Sequence, residues 1–412
     1  MKEKLFSRDF TLIVIGQVIS LFGNAAVRFV LPLYLLNQTG SSALYGFVTA
    51  CAFIPSILLS PVGGIIADRM NKRTIIVVLD FCTAAVTITF SLLLHSINPV
   101  LLITLTLMIL HGISGAYQPS VQASIPALVT PNHFMSANSI INMISYIASL
   151  LASVLGGFMY SMSGLNWVLF LCILCFLFSA IIELFIHMPS ANQKFSGDIL
   201  RIAKEDFARS IKFIRTENPV IGKLLLVICS LNLFMTSMMT VGMPYIITEL
   251  LEFETSTANQ LYGLSEGIVA AGGLMGCILA GTLAKKISIY KSGNLIIADA
   301  LLTFPAGISL LHFMPGIVSY IILTMCCSFM MVISIIFSIQ IMSFVQAQTP
   351  SHLIGKVISL ILTLSMCAQP LGNAFYGVAF EACRGFEFMV VLLSGAVALV
   401  IAITTKHIFR RI

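Results

Sequence analysis

Apolar residues in this chain neither alternate nor recur at every third or fourth position alone. They continue for long stretches and then break at short clusters of charge, Pro, Gly or Asn. Stretches of about twenty apolar residues predict helices that cross a bilayer, because the hydrocarbon core is spanned by that length of helix. A membrane barrel would instead show segments of about ten residues alternating apolar and polar. Twelve spans are expected, at 10–36, 43–67, 74–95, 99–122, 135–162, 165–188, 220–248, 258–284, 292–313, 316–344, 354–379 and 386–407.

The break at 189–219 is far longer than the rest and leaves six spans on each side. Within it Leu200, Ala203, Phe207, Ile211 and Ile214 fall on one helical face, with Arg201, Lys204, Arg209, Lys212 and Arg215 around it. That pattern suits a helix lying on a charged membrane surface. The expected organisation is an N-terminal bundle (1–188), a cytoplasmic amphipathic linker (189–219) and a C-terminal bundle (220–412).

The halves echo each other at an offset near 218. Gly64-Ile-Ile-Ala-Asp68-Arg69 matches Gly281-Thr-Leu-Ala-Lys285-Lys286, Asp80 matches Asp299, and Pro131-Asn-His133 matches Pro350-Ser-His352. A repeat of six helices makes the predicted fold class an all-α membrane protein of two pseudo-symmetric bundles, with a site at the repeat interface.

Composition agrees: 58% of the 412 residues are hydrophobic and 9% charged, too little polar surface for a globule in water. Charge placement adds an orientation. With the N-terminus inside, 20 of the 22 Lys and Arg fall on the cytoplasmic side, leaving Arg28 in a helix and Arg384 in an outer loop. The expected location is the cell membrane, multi-pass, with both termini cytoplasmic. The net charge of +6 suits anionic lipid and is not read as nucleic-acid binding. The apolar run after the basic start is longer than a signal-peptide core, so the first span is expected to be retained. Nine of the ten Cys lie in proposed helices, and Cys172 and Cys175 are read as apolar packing. No metal or cofactor is expected.

One inner turn carries a motif: Gly64-Ile65-Ile66-Ala67-Asp68-Arg69-Met70-Asn71-Lys72-Arg73. It resembles the signature loop of the major facilitator superfamily, G-x-L-A-D-R-x-G-R-K, with Asn71 in place of the second Gly. Leu21-Phe-Gly23-Asn24, Leu31-Pro32-Leu33, Thr39-Gly40-Ser41 and Gln122-Ala-Ser-Ile-Pro126 are similar to the macrolide-efflux-type and enterobactin-exporter-like drug:proton antiporter branch. The resemblance implies that Gly64, Asp68, Arg69 and Arg73 latch one conformation. Asp80 and Asp299 join that latch on the expectation that they pair with Arg73 and Lys291. The Gly-Pro step many exporters carry in the fifth helix reads Ala152-Ser153-Val154-Leu155-Gly156-Gly157 here.

Ionisable and polar groups at bilayer depth are costly and therefore mark function. Gln17, Ser20, Asn24 and Arg28 occupy about an 80° arc of the first helix. The fourth adds Thr104, His111, Gln118 and Gln122, the seventh Asn232, Thr236 and Met239, and the tenth Ser334 and Ser338. The resemblance implies that these four helices line the central cavity. Eight of the 20 Met lie in the seventh and tenth spans, a wall able to repack around differently shaped ligands. Glu266 has no Lys or Arg within two turns and is suited to exchanging protons, with Arg28 and His111 as further proton-coupling residues.

The expected function is export of small amphipathic or hydrophobic compounds by proton antiport. The expected partners are a small-molecule substrate, protons and membrane lipids, and the fold is expected to work as a monomer. Uptake or facilitated diffusion, and a membrane sensor without transport, are the alternatives. No GxxxxGK[ST] loop is present, so direct use of ATP is not expected, and the chain is not read as an enzyme.

Overall fold

The computed structural model describes residues 8–69, 71–128, 134–187, 207–283, 292–311, 313–350 and 353–409. They are almost entirely helical. In chain order the helices are α1 (Arg8–Thr39), α2 (Ser42–Arg69), α3 (Lys72–Leu93), α4 (Pro99–Leu128), α5 (Phe134–Ser163) and α6 (Leu165–Glu183). A connecting helix over 207–212 ends in a π-turn, Phe213–Glu217. Then come α7 (Pro219–Leu250), α8 (Thr255–Leu283), α9 (Ser292–Ile308), α10 (Gly316–Gln348), α11 (Ile354–Ala382) and α12 (Glu387–Phe409).

Eleven of these are long and apolar enough to cross a membrane. The span expected at 292–313 is the exception: α9 has 17 residues and ends at Ile308, three residues after Pro305. Both turns that close a half, α5 to α6 and α11 to α12, pass through a glycine in the left-handed region, Gly164 and Gly385, which only an absent Cβ makes easy.

The chain divides into two compact units, 1–38 with 51–199 and 39–50 with 200–412. In the first, α3 packs on α4 and α6, and a core of Phe10, Ile76, Tyr117, Val121 and Ile141 joins α1, α3, α4 and α5. In the second, α9 packs on α10 and α12, α8 on α10, and α7 on α11. Its inner core gathers Ile221, Leu224, Ile296, Phe337, Ile341 and Val357. Lipid-facing sides keep their large apolar residues exposed, among them Leu92, Trp167, Ile278 and Leu371.

The amphipathic linker face is only partly visible. Leu200, Ala203, Arg201 and Lys204 lie outside the described residues. Phe207 is exposed, whereas Ile211, Phe213 and Ile214 are built into the inner core of the second unit.

The second unit includes the N-terminal end of α2, and its attachment is specific. Glu381 of α11 caps α2, its Oε2 accepting from the Ser41 hydroxyl at 2.6 Å and the Ala43 N–H at 3.0 Å. Ser42 donates to the Gly377 carbonyl at 2.9 Å. Arg384 donates to the Gly40 carbonyl at 3.3 Å and lies 3.8 Å from Glu381. The backbones touch where Gly46 faces Gly377: a Cβ on Gly46 would come within 2.8 Å of the Gly377 Cα.

Candidate functional site

The site begins with a defect in α7. At Asn232–Thr236 the helix loosens into a π-turn, and a second follows at Ile246–Leu250 after Pro244. Side chains take up the groups that such a turn displaces. Ser237 donates to the Asn232 carbonyl at 2.9 Å and to the Gln369 carbonyl at 3.1 Å. Asn232 donates from Nδ2 to the Ser365 carbonyl at 3.2 Å and accepts from Thr236 at 3.2 Å. The turn is thereby fastened to α11.

A neighbouring face of α7 presents Met235, Thr236, Met239, Thr240 and Met243 to a cavity of about 180 Å³. Its other walls are Glu266 and Val269 of α8, Asp299 of α9, and Met330, Met331 and Ser334 of α10. Two carboxyl groups thus share a space walled by five thioethers, three hydroxyls and a valine, and among the described residues no basic side chain lines it. Asp299 is 7% exposed, and its Oδ1 has no hydrogen-bond partner. Glu266 lies beside Tyr262, which meets Tyr45 near the N-terminal end of α2. A buried carboxylate without a counter-charge is expensive, so each acid has reason to hold a proton or meet a cation.

Thr236, Met239, Ser334 and Glu266 line this cavity. Two other expected cavity residues do not. Asn232 is committed to holding the π-turn, and Ser338, one turn beyond Ser334, is exposed outside the lining.

In the first unit the polar stripe of α1 divides. Gln17 and Ser20 are buried inside the bundle, where Ser20 donates to Asp80 at 2.8 Å. Asn24 donates to the Ser20 carbonyl at 3.1 Å, and Arg28 donates from Nη2 to the Leu110 carbonyl at 2.9 Å. His111 bonds through Nδ1 to the Leu107 carbonyl at 2.9 Å and lies near Arg28, with its ring 5.3 Å from that of Phe53. The side chains of Gln118 and Gln122 lie outside those described.

The expected ion pairs beneath the inner surface need correction. Arg73 donates to the Leu184 carbonyl, and Asp80 takes its hydrogen bond from Ser20. Asp299 faces the cavity, while Lys291 lies outside the described residues. The spacing held the warning: seven or eight residues place two groups about 10–12 Å apart along a helix, beyond one direct contact. Glu183, near the C-terminal end of α6, is 1% exposed and accepts from Tyr117 at 3.3 Å.

The sequence profile described as Major Facilitator Superfamily matches residues 13–373. The chain belongs to this superfamily. Among its relatives are Macrolide efflux protein A of Streptococcus pyogenes, 22% identical over 95% of this chain and 94% of that protein, and the uncharacterized MFS-type transporter YvqJ of Bacillus subtilis, 23% identical over 47% and 46%. Among solved structures, the nucleoside transporter NupG aligns with TM-score 0.75 at 12% identity, over 98% of this chain and 100% of that one. An inward-facing bacterial homologue of the iron transporter ferroportin aligns with TM-score 0.70 at 18% identity, over 96% and 98%. These structures share the superfamily fold. The chain is a multi-pass membrane transporter with a small-molecule substrate. Of its superfamily loop, Gly64, Asp68 and Arg69 belong to the C-terminal end of α2, whose side chains are not among those described, and Met70 lies outside the described residues.

Proposed function

We propose that this transporter exports small amphipathic or hydrophobic compounds in exchange for protons, by alternating access. It would sit in the cell membrane with both termini cytoplasmic. The observation that carries the reading is the joint presence of Glu266 and Asp299 in one methionine-walled cavity. Thioethers offer an adaptable apolar surface, and two acids without a base offer sites that a proton and a positively charged substrate compete for. A compound pairing a bulky apolar body with a basic amine fits that lining best. The outward direction rests on the efflux relatives.

Substrate enters from the inside and meets the protonated acids. A cationic substrate displaces protons, the loaded protein changes access, and protonation from outside releases the substrate. The test compares cellular accumulation of amine-bearing dyes and macrolides with and without a protonophore. Lower accumulation in expressing cells, abolished by the protonophore, is expected; accumulation indifferent to the gradient would overturn antiport. In vesicles, Glu266→Gln should abolish substrate-driven proton release.

A further inference from the structure

A second buried polar cluster lies in the first unit and has no part in the reading above. Gln17 and Ser20 of α1, Asp80 of α3, Tyr117 of α4, and Ser179 and Glu183 of α6 meet inside the bundle. Gln17, Asp80 and Glu183 are each 1% exposed, and Ser20 and Ser179 are fully buried.

Buried polar atoms are nearly always hydrogen-bonded. Here both amide atoms of Gln17, Oδ2 of Asp80 and Oε2 of Glu183 have no hydrogen-bond partner. The two acids act on each other. Asp80 otherwise meets Ser20, Ser179 and Tyr117, and Glu183 meets Tyr117 and Ser179, so neither faces a base among the described residues. Arg73, at the inner end of α3, is turned to the Leu184 carbonyl. Gly16 makes room: a Cβ there would lie 2.9 Å from Oε1 of Glu183.

Two neighbouring carboxylates and the Gln17 amide, which lies beside the Tyr117 hydroxyl without completing a hydrogen bond, are all out of water and form an incomplete structure. A proton shared between the acids leaves the Gln17 carbonyl unsatisfied. An ion bound by oxygen accounts for every orphaned oxygen at once. The donors are carboxylates, an amide carbonyl and hydroxyls, which suit hard cations; a soft transition metal would want nitrogen or sulfur. Magnesium keeps several waters, and these side chains admit almost no solvent. We propose that Gln17, Asp80 and Glu183, with Ser20 and Ser179, form a binding site for a dehydrated hard cation of the calcium or sodium kind within the N-terminal bundle.

The test uses the purified full-length protein in detergent. Its thermal midpoint is followed at constant ionic strength as CaCl₂ or NaCl replaces choline chloride, and bound ⁴⁵Ca²⁺ or ²²Na⁺ is counted. Saturable stabilisation by one of the two ions, with one ion bound per chain, is expected. Gln17→Leu removes a neutral ligand while filling its space and should weaken affinity about ten- to a hundredfold. Asp80→Asn should abolish binding, and Glu266→Gln should leave it unchanged. Stability that responds only to pH, an equal response to choline, or unaltered affinity in Gln17→Leu would overturn the site. Gln17→Leu adds no charge and so keeps the test decisive if Asp80→Asn does not fold. Because ion binding is read without transport, its failure is separable from failure of the export reading.

Discussion

At the scale of single residues, the two acids of the α7–α10 cavity differ in their surroundings. Asp299 is the more enclosed and has an unpartnered oxygen, whereas Glu266 is half-buried beside Tyr262. Asp299→Asn keeps the shape and removes the charge, so it should reduce accumulation differences for amine-bearing substrates far more than for neutral ones. Competition assays with a matched amine and its acetylated form check this. Equal loss for both would remove the electrostatic role. Met239 is half-buried on the cavity wall, and Met239→Leu should change stability by less than about 1.5 kcal/mol while reordering substrate preference. A thermal melt and an inhibitor panel separate the two effects.

At the scale of elements, the attachment of the N-terminal end of α2 to α11 combines a charged cap with a close backbone approach. Glu381→Ala removes the acceptor for Ser41 and Ala43 and should cost about 0.5–2 kcal/mol of local stability. Gly377→Leu is more severe, because its side chain would begin 2.7 Å from the Ser42 carbonyl and 3.0 Å from the Gly46 Cα, both backbone atoms that yield only by helix displacement. Both variants should raise the rate at which an impermeant maleimide labels a cysteine placed at Ser41. An unchanged rate would mean that this contact does not shield Ser41. The π-turn at Asn232–Thr236 belongs to the same scale: the stripe of polar residues on α7 was readable, but the turn that re-aims it was not. A π-turn shifts the register by one residue, which is how Asn232 comes to face α11 while Thr236 faces the cavity.

For the whole molecule, the charge distribution predicts that the α11–α12 turn is outside. Cys383 in that turn should react with an impermeant thiol reagent in intact cells, while a cysteine placed at Lys223 should react only after permeabilisation. The reverse pattern would invert the topology. Helix number, the duplicated six-helix unit and the family loop were legible because lipid imposes long apolar runs and because a duplicated unit keeps its punctuation in register. The site was legible only in part. Glu266, Thr236, Met239 and Ser334 stood out as polar or adaptable groups in apolar runs. Asp299 and Asp80 stood out equally, and their partners were misassigned because spacing along one helix says nothing about the helix packed across from it.

The chain by itself therefore determines that lipid is its solvent, that its helices come in two sets of six, and which few groups are expensive enough at depth to need a purpose. Each of these follows from the transfer cost of single residues and needs no knowledge of neighbours. Tertiary structure alone decides how those groups are shared out. It sends Asp299 with Glu266 into a methionine cavity, gathers Asp80 and Glu183 with Gln17, and fastens the N-terminal end of α2 to α11 through Glu381. The physical reason is that a buried carboxyl is defined by what faces it, and what faces it comes from helices far away in sequence.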